Sequence, residues 1–581
     1  MLRKLTASIG EYKRISLITP LLVLAEVVIE CFIPFIIAEL VNDVRDGCEF
    51  NIILSKGALL VLLAVLSLTF GALAGVTASR AAAGFAKNLR RDMFYSVQDF
   101  SFENIDRFST SSLVTRLTTD VTNVQMAYMM IIRTAVRAPF MFAFAFVMAF
   151  VMGGSMAWIF VFVVPVLLST LIFVIAKAMP LFKKVFKKYD KLNASIQENV
   201  KGMRVVKSFV RQDYEREKFS AASDDVCRDF TKADRILALN NPIMQFCMYC
   251  IMVFVLTYGS YTVITSQGVD LDVGQLSAML TYGVMILMSL MMLSMIFVMI
   301  TIAIESSKRI VEVLSEKSTL TSKENAITEI IDGSVDFENV TFKYSEKAER
   351  DALSDVNLHI GSGETVGIIG TTGSAKSTLV QLISRLYDTT SGTVRVGGID
   401  VRDYDLDALR NSVAVVLQKN LLFSGTIKEN LLWGDKNATD EDIRNAARLA
   451  GAEEFINSFP DGYDTYIEQG GANVSGGQKQ RLCIARALLK KPKILILDDS
   501  TSAVDTKTDA HIRRSMREYI PETTKIIIAQ RIASVEDADK IVVMDSGRVS
   551  AVGTHDELLS SSLIYREVFF SQNKVEMEEE K

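Results

Sequence analysis

Long stretches without a single charged residue dominate the first half of this 581-residue sequence. A bilayer core of about 30 Å requires about 20 apolar residues in a helix, because no water is present there to satisfy a free backbone. The stretch 138–176 is long enough for two such helices, with Gly153-Gly154-Ser155 as the turn between them. Together with an apolar segment near 15–40, these stretches predict about six transmembrane helices. The uncharged stretches are residues 57–79, 138–176, 236–269 and 273–304.

Positively charged residues indicate how these helices are oriented. Basic residues are concentrated after the second and the fourth predicted spans, in connections that cover about 80–130 and 177–235. The other connections are short and contain few cations. The positive-inside rule therefore places both termini and the two long connections in the cytoplasm of a multi-pass plasma-membrane protein. We expect both long connections to be continuous helix that extends the spans beyond the lipid bilayer.

The net charge of −5 combines two unlike parts. Residues 1–330 contain 33 Lys and Arg against 28 Asp and Glu, which gives +5, whereas residues 331–581 contain 30 against 40, which gives −10. This composition excludes a disordered chain, a disulfide-rich secreted module and a basic nucleic-acid binder. We therefore expect no nucleic acid among its partners.

Two carboxylic acids lie inside the first predicted span. Glu26 and Glu30 are four residues apart and therefore share one face of the helix. An intramembrane carboxylate is costly and usually faces a water-filled cavity or an ionic partner. Two interpretations remain open. Either the acids are neutral or paired with Arg133 or Arg137, or one of them contacts a transported substrate in a cavity.

The second half changes to short apolar strands, glycine turns and amphipathic helices, which is typical of an α/β domain. A strand over Thr365–Ile369 leads into a glycine-rich loop and then a helix, the context that a phosphate-binding P-loop requires. The loop N–H groups would hold the phosphates of ATP, Lys376 would reach the β and γ oxygens, and the Ser377 hydroxyl would bind Mg²⁺. The predicted ATP-binding residues of this loop are Gly370, Thr371, Thr372, Gly373, Ser374, Ala375, Lys376, Ser377 and Thr378.

Two further features bear on this site. Ala375 stands where the P-loop pattern has its last glycine, and an alanine held at positive φ there would cost on the order of 1–2 kcal/mol. We expect ATP binding to survive that cost. Lys493–Asp498 predicts a buried parallel strand that ends in a carboxylate, where ligands bind in open α/β sheets, so Asp498 is expected to hold Mg²⁺ through water. A P-loop occurs in many NTPases, so these features leave the class open.

A second motif narrows the class. Val474-Ser475-Gly476-Gly477-Gln478 lies between the P-loop and Asp498, and Ser502-Ala-Val-Asp505 follows. This series, behind about six spans, resembles a half-transporter of the ABC multidrug-exporter family over nearly the whole chain. We expect a membrane α-helical bundle with long cytosolic extensions, followed by an α/β P-loop ATPase domain. The expected parts are a transmembrane domain over 1–312, a linker over 313–332, a nucleotide-binding domain over 333–571 and an acidic tail over 572–581.

The resemblance implies roles for individual residues. Tyr344 matches the aromatic residue that stacks on adenine, and Gln418 the residue that senses Mg²⁺ and the coupling elements. Val474 to Gln478 match the signature that closes on ATP held by the opposite subunit. Asp505 matches the D-loop, which crosses between the two ATP sites. Further matches are Glu468 in the acidic loop that touches the partner, Arg116 in the first intracellular coupling region and Val205–Asp213 in the second.

Three positions depart from the family pattern. Where hydrolysing subunits carry a catalytic Glu, this chain has Asp499, whose shorter side chain reduces the hydrogen-bond reach that a general base needs. Where they carry a His, this chain has Gln530, which cannot titrate. Ala375 is the third departure, and all three concern one ATP site.

These departures imply an asymmetric pair. The chain resembles the degenerate-site subunit of a bacterial heterodimeric exporter, whose partner carries the Glu and the His. It would bind ATP at a slow site of its own, supply its signature to the partner's site, and export drugs or amphipathic compounds by alternating access. The alternatives are a regulatory or gating ATP-binding subunit with little turnover, a homodimer with two slow sites, or an exporter of lipid or peptide.

Overall fold

A computed structural model describes residues 2–267, 269–346, 348–499 and 504–579 and divides the chain into two units. The first unit comprises Met1–Gln98 and Thr110–Glu316, and the second comprises Asp99–Ser109 and Lys317–Lys581. The short segment 99–109 thus belongs to the second unit although the first unit's helices flank it in sequence.

The first unit is helical. Five helical stretches are long and apolar enough to cross a membrane. One of them, Thr110–Ala178, is interrupted by a turn at Gly154–Ala157, where Gly154 has a φ of +50° that favours glycine. This turn divides the stretch into two helices at the place that the sequence predicts. The helices before residue 316 are α1 (Leu2–Ala7), α2 (Lys13–Arg45), α3 (Phe50–Gln98), α4 (Phe102–Arg107), α5 (Thr110–Thr115), α6 (Val121–Ile132), α7 (Thr134–Gly153), α8 (Trp158–Lys201), α9 (Met203–Ser208), α10 (Gln212–Ala238), α11 (Asn240–Thr265) and α12 (Val273–Ser315).

The long connections are helical but not continuous, which corrects the expectation for 80–130 and 177–235. Helix α3 ends at Gln98, and Ser101 begins α4 by accepting a hydrogen bond from the Asn104 N–H. Helix α8 ends at Lys201, and α10 packs back against it through Lys188, whose Nζ lies 2.6 Å from both Asp225 and Asp229. Helical periodicity revealed the helices but not the caps and turns at which they reverse.

The second unit contains two main β-sheets. The six-stranded sheet has the order β12-β11-β3-β10-β9-β6 and is parallel except for its edge strand β12, and a four-stranded antiparallel sheet has the order β2-β1-β4-β5. The strands of the second unit are β1 (Val335–Phe342), β2 (Leu353–Ile360), β3 (Thr365–Gly370), β4 (Ser391–Val396), β5 (Ile399–Asp400), β6 (Val413–Val416), β7 (Gly425–Thr426), β8 (Tyr466–Ile467), β9 (Ile494–Asp498), β10 (Thr524–Ile528), β11 (Lys540–Asp545) and β12 (Arg548–Gly553).

Helices cover the six-stranded sheet and complete the hydrophobic core. Every residue of β9 and β10 is buried, as is usual for central parallel strands. Because β3, β10 and β9 are neighbours, the loops that follow them meet at one edge of the sheet. The helices are α13 (Lys376–Ile383), α14 (Leu406–Ser412), α15 (Ile427–Leu431), α16 (Asp440–Leu449), α17 (Glu453–Ser458), α18 (Gly476–Leu489), α19 (Thr506–Tyr519), α20 (His555–Ser561) and α21 (Leu563–Glu579).

The segment 99–109 packs on the second unit through polar and aromatic contacts. The Tyr387 hydroxyl donates to Asp106 Oδ2 at 2.7 Å, and the Tyr387 and Phe102 rings lie 6.2 Å apart. Burial and the Asp106 carboxylate together raise the pKa of Tyr387. The Asn104 side chain also donates to the Lys317 carbonyl at 3.3 Å.

Candidate functional site

The P-loop joins β3 to α13 at the edge where the parallel strands end. Gly370 is required there by packing, because a Cβ would collide with the carbonyl oxygen of Met544 on the neighbouring strand. The Lys376 side chain bends back into the loop and donates to the carbonyls of Gly370 and Thr371 at 2.8 and 2.9 Å. Burial lowers the pKa of Lys376, while Asp498 and Asp499 oppose the shift. The loop is thus ordered around its lysine. 

Ala375 adopts the left-handed conformation that the P-loop pattern assigns to glycine. Its φ and ψ are 68° and 27°, and it immediately precedes the first residue of α13. An L-residue in this region costs roughly 1–2 kcal/mol relative to its preferred conformations. Ala375 is thus held at positive φ, which is the condition under which the sequence analysis expects a cost, and the alanine strains the loop.

Asp498 ends β9 directly opposite the P-loop helix. The Ser377 hydroxyl donates to its Oδ1 at 3.0 Å. Burial is the main cause of a raised pKa at Asp498, and the neighbouring Asp499 carboxylate adds to it, whereas the Ser377 hydrogen bond opposes it. A hydroxyl, a carboxylate and the nearby Gln418 amide are oxygen donors of the kind that Mg²⁺ prefers, with phosphate oxygens and water completing its shell. The residues present therefore fit the predicted cation.

Asp499 and Gln530 meet at the same edge. Asp499 has a φ of +48°, and its Oδ2 accepts hydrogen bonds from Gln530 Nε2 at 2.8 Å and from Gln418 Nε2 at 3.2 Å. Both donors are neutral amides, so neither can take up or release a proton near neutral pH. The structure thus brings together two of the three departures and the predicted Mg²⁺ sensor, and the third, Ala375, lies in the adjoining P-loop.

Tyr344 follows β1 and lies against the start of α13. Its hydroxyl is within hydrogen-bond distance of Thr378 Oγ1 at 2.9 Å and Gln381 Oε1 at 3.2 Å. Its ring packs edge-on against Phe342 and Tyr387, and 47% of the residue remains exposed. The exposed part of this ring is available for stacking on a flat ligand.

The signature segment caps α18. Ser475 Oγ accepts from the Gln478 N–H at 3.3 Å, and the Gln478 side chain accepts from the Ser475 N–H at 2.9 Å, which completes a capping box. Ser475 and Gly476 are exposed, while Val474 packs against the core. Among the residues that the structure describes, no hydrogen bond joins Ser475–Gln478 to the P-loop. The N-terminus of α18 thus presents an exposed, positive helix end to a ligand from outside this site.

Asp505 begins α19 as its N-cap. Its Oδ1 accepts from the Thr508 N–H at 3.0 Å, and this backbone hydrogen bond is the main cause of a lowered pKa at Asp505. Ser502 and Ala503 lie outside the described residues. The Glu468 backbone N–H donates to Asn473 Oδ1 at 3.0 Å, so this acidic loop is locally ordered.

Glu26 and Glu30 share a single arginine in the first unit. Arg137 of α7 donates to Glu26 Oε1 and to both oxygens of Glu30, the latter at 2.8 and 2.7 Å. Glu26 is 6% exposed, and its second oxygen has no hydrogen-bond partner among the described residues. Gly71 of α3 makes room for this carboxylate, since a Cβ there would lie 2.7 Å from Glu26 Oε1. The ionic interpretation with Arg137 therefore describes the contacts observed here.

Arg116, which the sequence assigns to the first coupling region, is also engaged. It lies in a π-helical turn over Arg116–Asp120, pairs with Glu312 at 2.8 Å and donates to the Arg309 carbonyl at 2.9 Å. Asp120 at the end of the turn accepts from Ser306 at 2.9 Å. These contacts fix the turn against α12 within the first unit.

Sequence reasoning missed Gln572, which contacts the loop that carries Gln530. Gln572 of α21 donates to the Gln530 carbonyl at 2.8 Å and accepts from the Ile532 N–H at 2.9 Å. It therefore holds the loop that follows β10 from both sides. No motif surrounds Gln572, and some forty residues separate it from the loop, so only the fold reveals the contact.

Comparisons with known proteins agree with this architecture. Residues 16–291 match the ABC transporter transmembrane region, and residues 353–502 match the ABC transporter family. The uncharacterized ABC transporter ATP-binding protein YfiB of Bacillus subtilis is 35% identical over 98% of both chains. The uncharacterized ABC transporter ATP-binding protein Rv1273c of Mycobacterium tuberculosis is 34% identical over 99% of this chain and 98% of its own length.

Two further comparisons concern export. The putative multidrug export ATP-binding/permease protein YgaD of Bacillus subtilis is 39% identical over 65% of both chains. The structure of a bacterial Atm1-family ABC exporter with ATP bound superimposes with a TM-score of 0.81 and covers 98% of both chains. At 24% identity this last likeness concerns the fold.

Proposed function

The chain belongs to the ABC transporters, as an exporter-type subunit with a transmembrane and an ATP-binding domain, and from this membership we propose that it is the degenerate half of a heterodimer. In this proposal two such subunits bind two ATP molecules between their nucleotide domains. Each ATP is held by the P-loop of one subunit and the signature of the other. Closure of the two nucleotide domains then opens the cavity between the membrane helices to the outside, and separation of the nucleotide domains opens it to the cytoplasm again.

The observation that carries the proposal is the environment of Asp499. Its carboxylate oxygen is engaged by Gln418 and Gln530, two amides that cannot exchange protons, at 3.2 and 2.8 Å. A general base needs hydrogen-bond reach to the proton that it removes and a pKa near the working pH. The strained Ala375 in the adjoining loop adds a third difference at the same site. We infer slow hydrolysis here, with ATP binding retained.

ATP binding rests on groups that are intact. Lys376 would exchange the carbonyls of Gly370 and Thr371 for phosphate oxygens, and the exposed ring of Tyr344 would stack on adenine. Ser377, Asp498 and Gln418 would hold Mg²⁺, which when bound neutralises charge on the phosphates. The role of Asp499 in this site is to orient Gln418 and Gln530 rather than to activate water.

The signature supports a partner with a complete site. Its capping box fixes Ser475 and leaves the helix end exposed, which suits a phosphate approaching from another subunit. The exported substrate in this proposal is a small amphipathic compound, a class that the name of the relative YgaD supports through its words multidrug export.

The direct test uses the full chain, purified alone and together with a half-transporter encoded beside it that carries the catalytic Glu and His. We expect a one-to-one complex whose ATPase activity greatly exceeds that of this chain alone. A stable homodimer with brisk hydrolysis would overturn the asymmetric assignment.

The departures around Asp499 also favour a second candidate, a regulatory or gating subunit with little turnover. Transport separates the two. An exporter moves amphipathic dyes against a gradient in vesicles that contain the pair, whereas a gating subunit binds ATP without such transport. Vesicles assayed with fluorescent lipids and peptides in place of dyes test the remaining cargo alternatives.

A further inference from the structure

The side chain of Gln572 in helix α21 hydrogen-bonds the loop that carries Gln530. The amide of Gln572 donates to the Gln530 carbonyl at 2.8 Å and accepts from the Ile532 N–H at 2.9 Å. A glutamine that bonds a carbonyl and the N–H two residues later replaces the neighbouring strand that a loop beyond a sheet edge lacks. The contact therefore fixes the backbone on both sides of Arg531.

This backbone determines where the Gln530 side chain points. Gln530 lies two residues beyond the end of β10, and its Nε2 reaches Asp499 Oδ2 at 2.8 Å. Ile532 anchors the far side of the loop, since it is 2% exposed and packs in the main core of the nucleotide domain. Gln572 supplies the hydrogen bonds to two backbone groups of this loop, the Gln530 carbonyl and the Ile532 N–H.

From these contacts we propose that Gln572 is a positioning residue of the ATP site, acting on the nucleotide through Gln530. The inference rests on the proposed function, in which Asp499 orients Gln530 within the ATP site. A loop held in place before ATP arrives loses less conformational freedom on binding, and this favours ATP. Helix α21 continues beyond Gln572 to Glu579, so the Gln572 amide links the position of this helix to the site.

Two substitutions of Gln572 are expected to weaken ATP binding to different extents. In Gln572→Ala both hydrogen bonds are lost. In Gln572→Glu the side chain still accepts from the Ile532 N–H but sets an oxygen against the Gln530 carbonyl. We expect both variants to bind ATP more weakly, by about fivefold for alanine and by more for glutamate, because an unsatisfied or opposed backbone group is costly.

The experiment measures binding of a fluorescent ATP analogue to the full chain in lipid nanodiscs. Gln530→Ala keeps the backbone carbonyl but removes the side chain through which Gln572 is proposed to act. If the proposal holds, Gln572→Ala weakens binding in the wild type but has no further effect in Gln530→Ala. Additive losses in the double variant, or wild-type affinity in Gln572→Ala, would overturn it.

Hydrogen exchange separates positioning from a loss of fold. Gln572→Ala is expected to speed exchange of the Ile532 amide while leaving the buried strand β10 protected. Ser571→Ala, an exposed neighbour on the same helix, serves as the matched control and should change neither exchange nor affinity. Faster exchange at Ile532 with unchanged affinity assigns Gln572 a purely structural role and contradicts the proposal.

A further control distinguishes failure of this inference from failure of the proposed function. Lys376→Ala removes the lysine that would bind phosphates. If the wild type binds the analogue no better than Lys376→Ala, the ATP site itself is wrong, and the role of Gln572 falls with it. If the wild type binds better and Gln572→Ala equals the wild type, only the role of Gln572 is wrong.

Discussion

The nucleotide domain contributes two half-sites, the P-loop region and the signature, and they differ in which residues depart from the family pattern. The P-loop half-site holds a strained Ala375 and an Asp499 that is bonded to two neutral amides. The signature half-site keeps a complete capping box and an exposed helix N-terminus. Two of the changes, Asp499 and Gln530, thus concern positions that would move protons, and the third, Ala375, strains the loop, whereas Lys376 and Ser377 are retained. In the proposed function, this difference separates ATP binding from hydrolysis.

The largest expected effect concerns the signature. Replacing Ser475 by Ala together with Gly477 by Asp removes the cap and puts a negative charge at the helix N-terminus. ATPase activity of the pair is expected to fall about 100-fold, since charge stabilisation in the transition state is lost. Steady-state phosphate release measures it. Asp499→Asn is the matched change in the other half-site and should alter turnover less than about twofold, because no base is removed. A large loss in Asp499→Asn with little effect of the signature change would reverse the assignment.

A change at Lys376 tests whether the P-loop half-site binds ATP. Lys376→Ala is expected to weaken ATP at this chain's own site by about thirtyfold, because charge-assisted hydrogen bonds to phosphate are lost. Nucleotide titration with the partner's site blocked measures the loss. Lys491→Ala, an exposed lysine paired with Asp442, serves as the control for a removed positive charge. Equal affinity in Lys376→Ala and the wild type would contradict ATP binding at this loop.

Restoring the family residues tests why the site is slow. In Asp499→Glu with Gln530→His, a longer carboxylate and a titrating ring replace the present pair. We expect hydrolysis at this site to rise about tenfold, a partial recovery of general-base catalysis. Single-turnover hydrolysis is the measurement, with the partner's own catalytic residue disabled. Unchanged rates in the double variant would show that these two positions are not the cause.

The smallest expected effect concerns backbone strain. Ala375→Gly removes the Cβ that disfavours a φ of 68° and should raise the free energy of unfolding of the nucleotide domain by about 1 kcal/mol. Thermal unfolding measures it. Gly373→Ala adds the same strain at a φ of +86°, where a Cβ meets no other atom within 4 Å, and should lower stability by a similar amount. Destabilisation by Ala375→Gly would show that the alanine is favoured by packing.

Sequence alone was sufficient where a local pattern determines the structure. Strand β3 precedes the P-loop and β9 ends at Asp498, because short apolar runs and a glycine-rich loop carry their own signal. A positive φ at Ala375 entered the sequence argument as a condition, and the structure meets it. The turn at Gly154 was predictable too, since only a short break could divide an apolar stretch of that length.

Sequence was insufficient where distant residues meet. The expected continuous helix over 80–130 was wrong, because α3 ends at Gln98 and Ser101 and Asn104 cap a new helix. This cap lies in segment 99–109, which belongs to the second unit and not to the helical first unit. Two arginines could have paired with Glu26 and Glu30, and only the packing of α2 against α7 selects Arg137. Gln572 carried no signal at all, since an isolated glutamine on a surface helix is ordinary.

The lysine that fills the P-loop affects how nucleotide binding would register as heat. Lys376 already donates to two carbonyl oxygens, and both bonds must break before it can reach a phosphate. Binding then exchanges hydrogen bonds to neutral carbonyls for charge-assisted ones to phosphate, so the enthalpy gained at this lysine is only the difference between the two. Calorimetry on this chain would accordingly report a smaller binding enthalpy than the number of lysine–phosphate contacts alone implies. Inorganic phosphate, which offers the same oxygens without adenine, would compete for the same lysine.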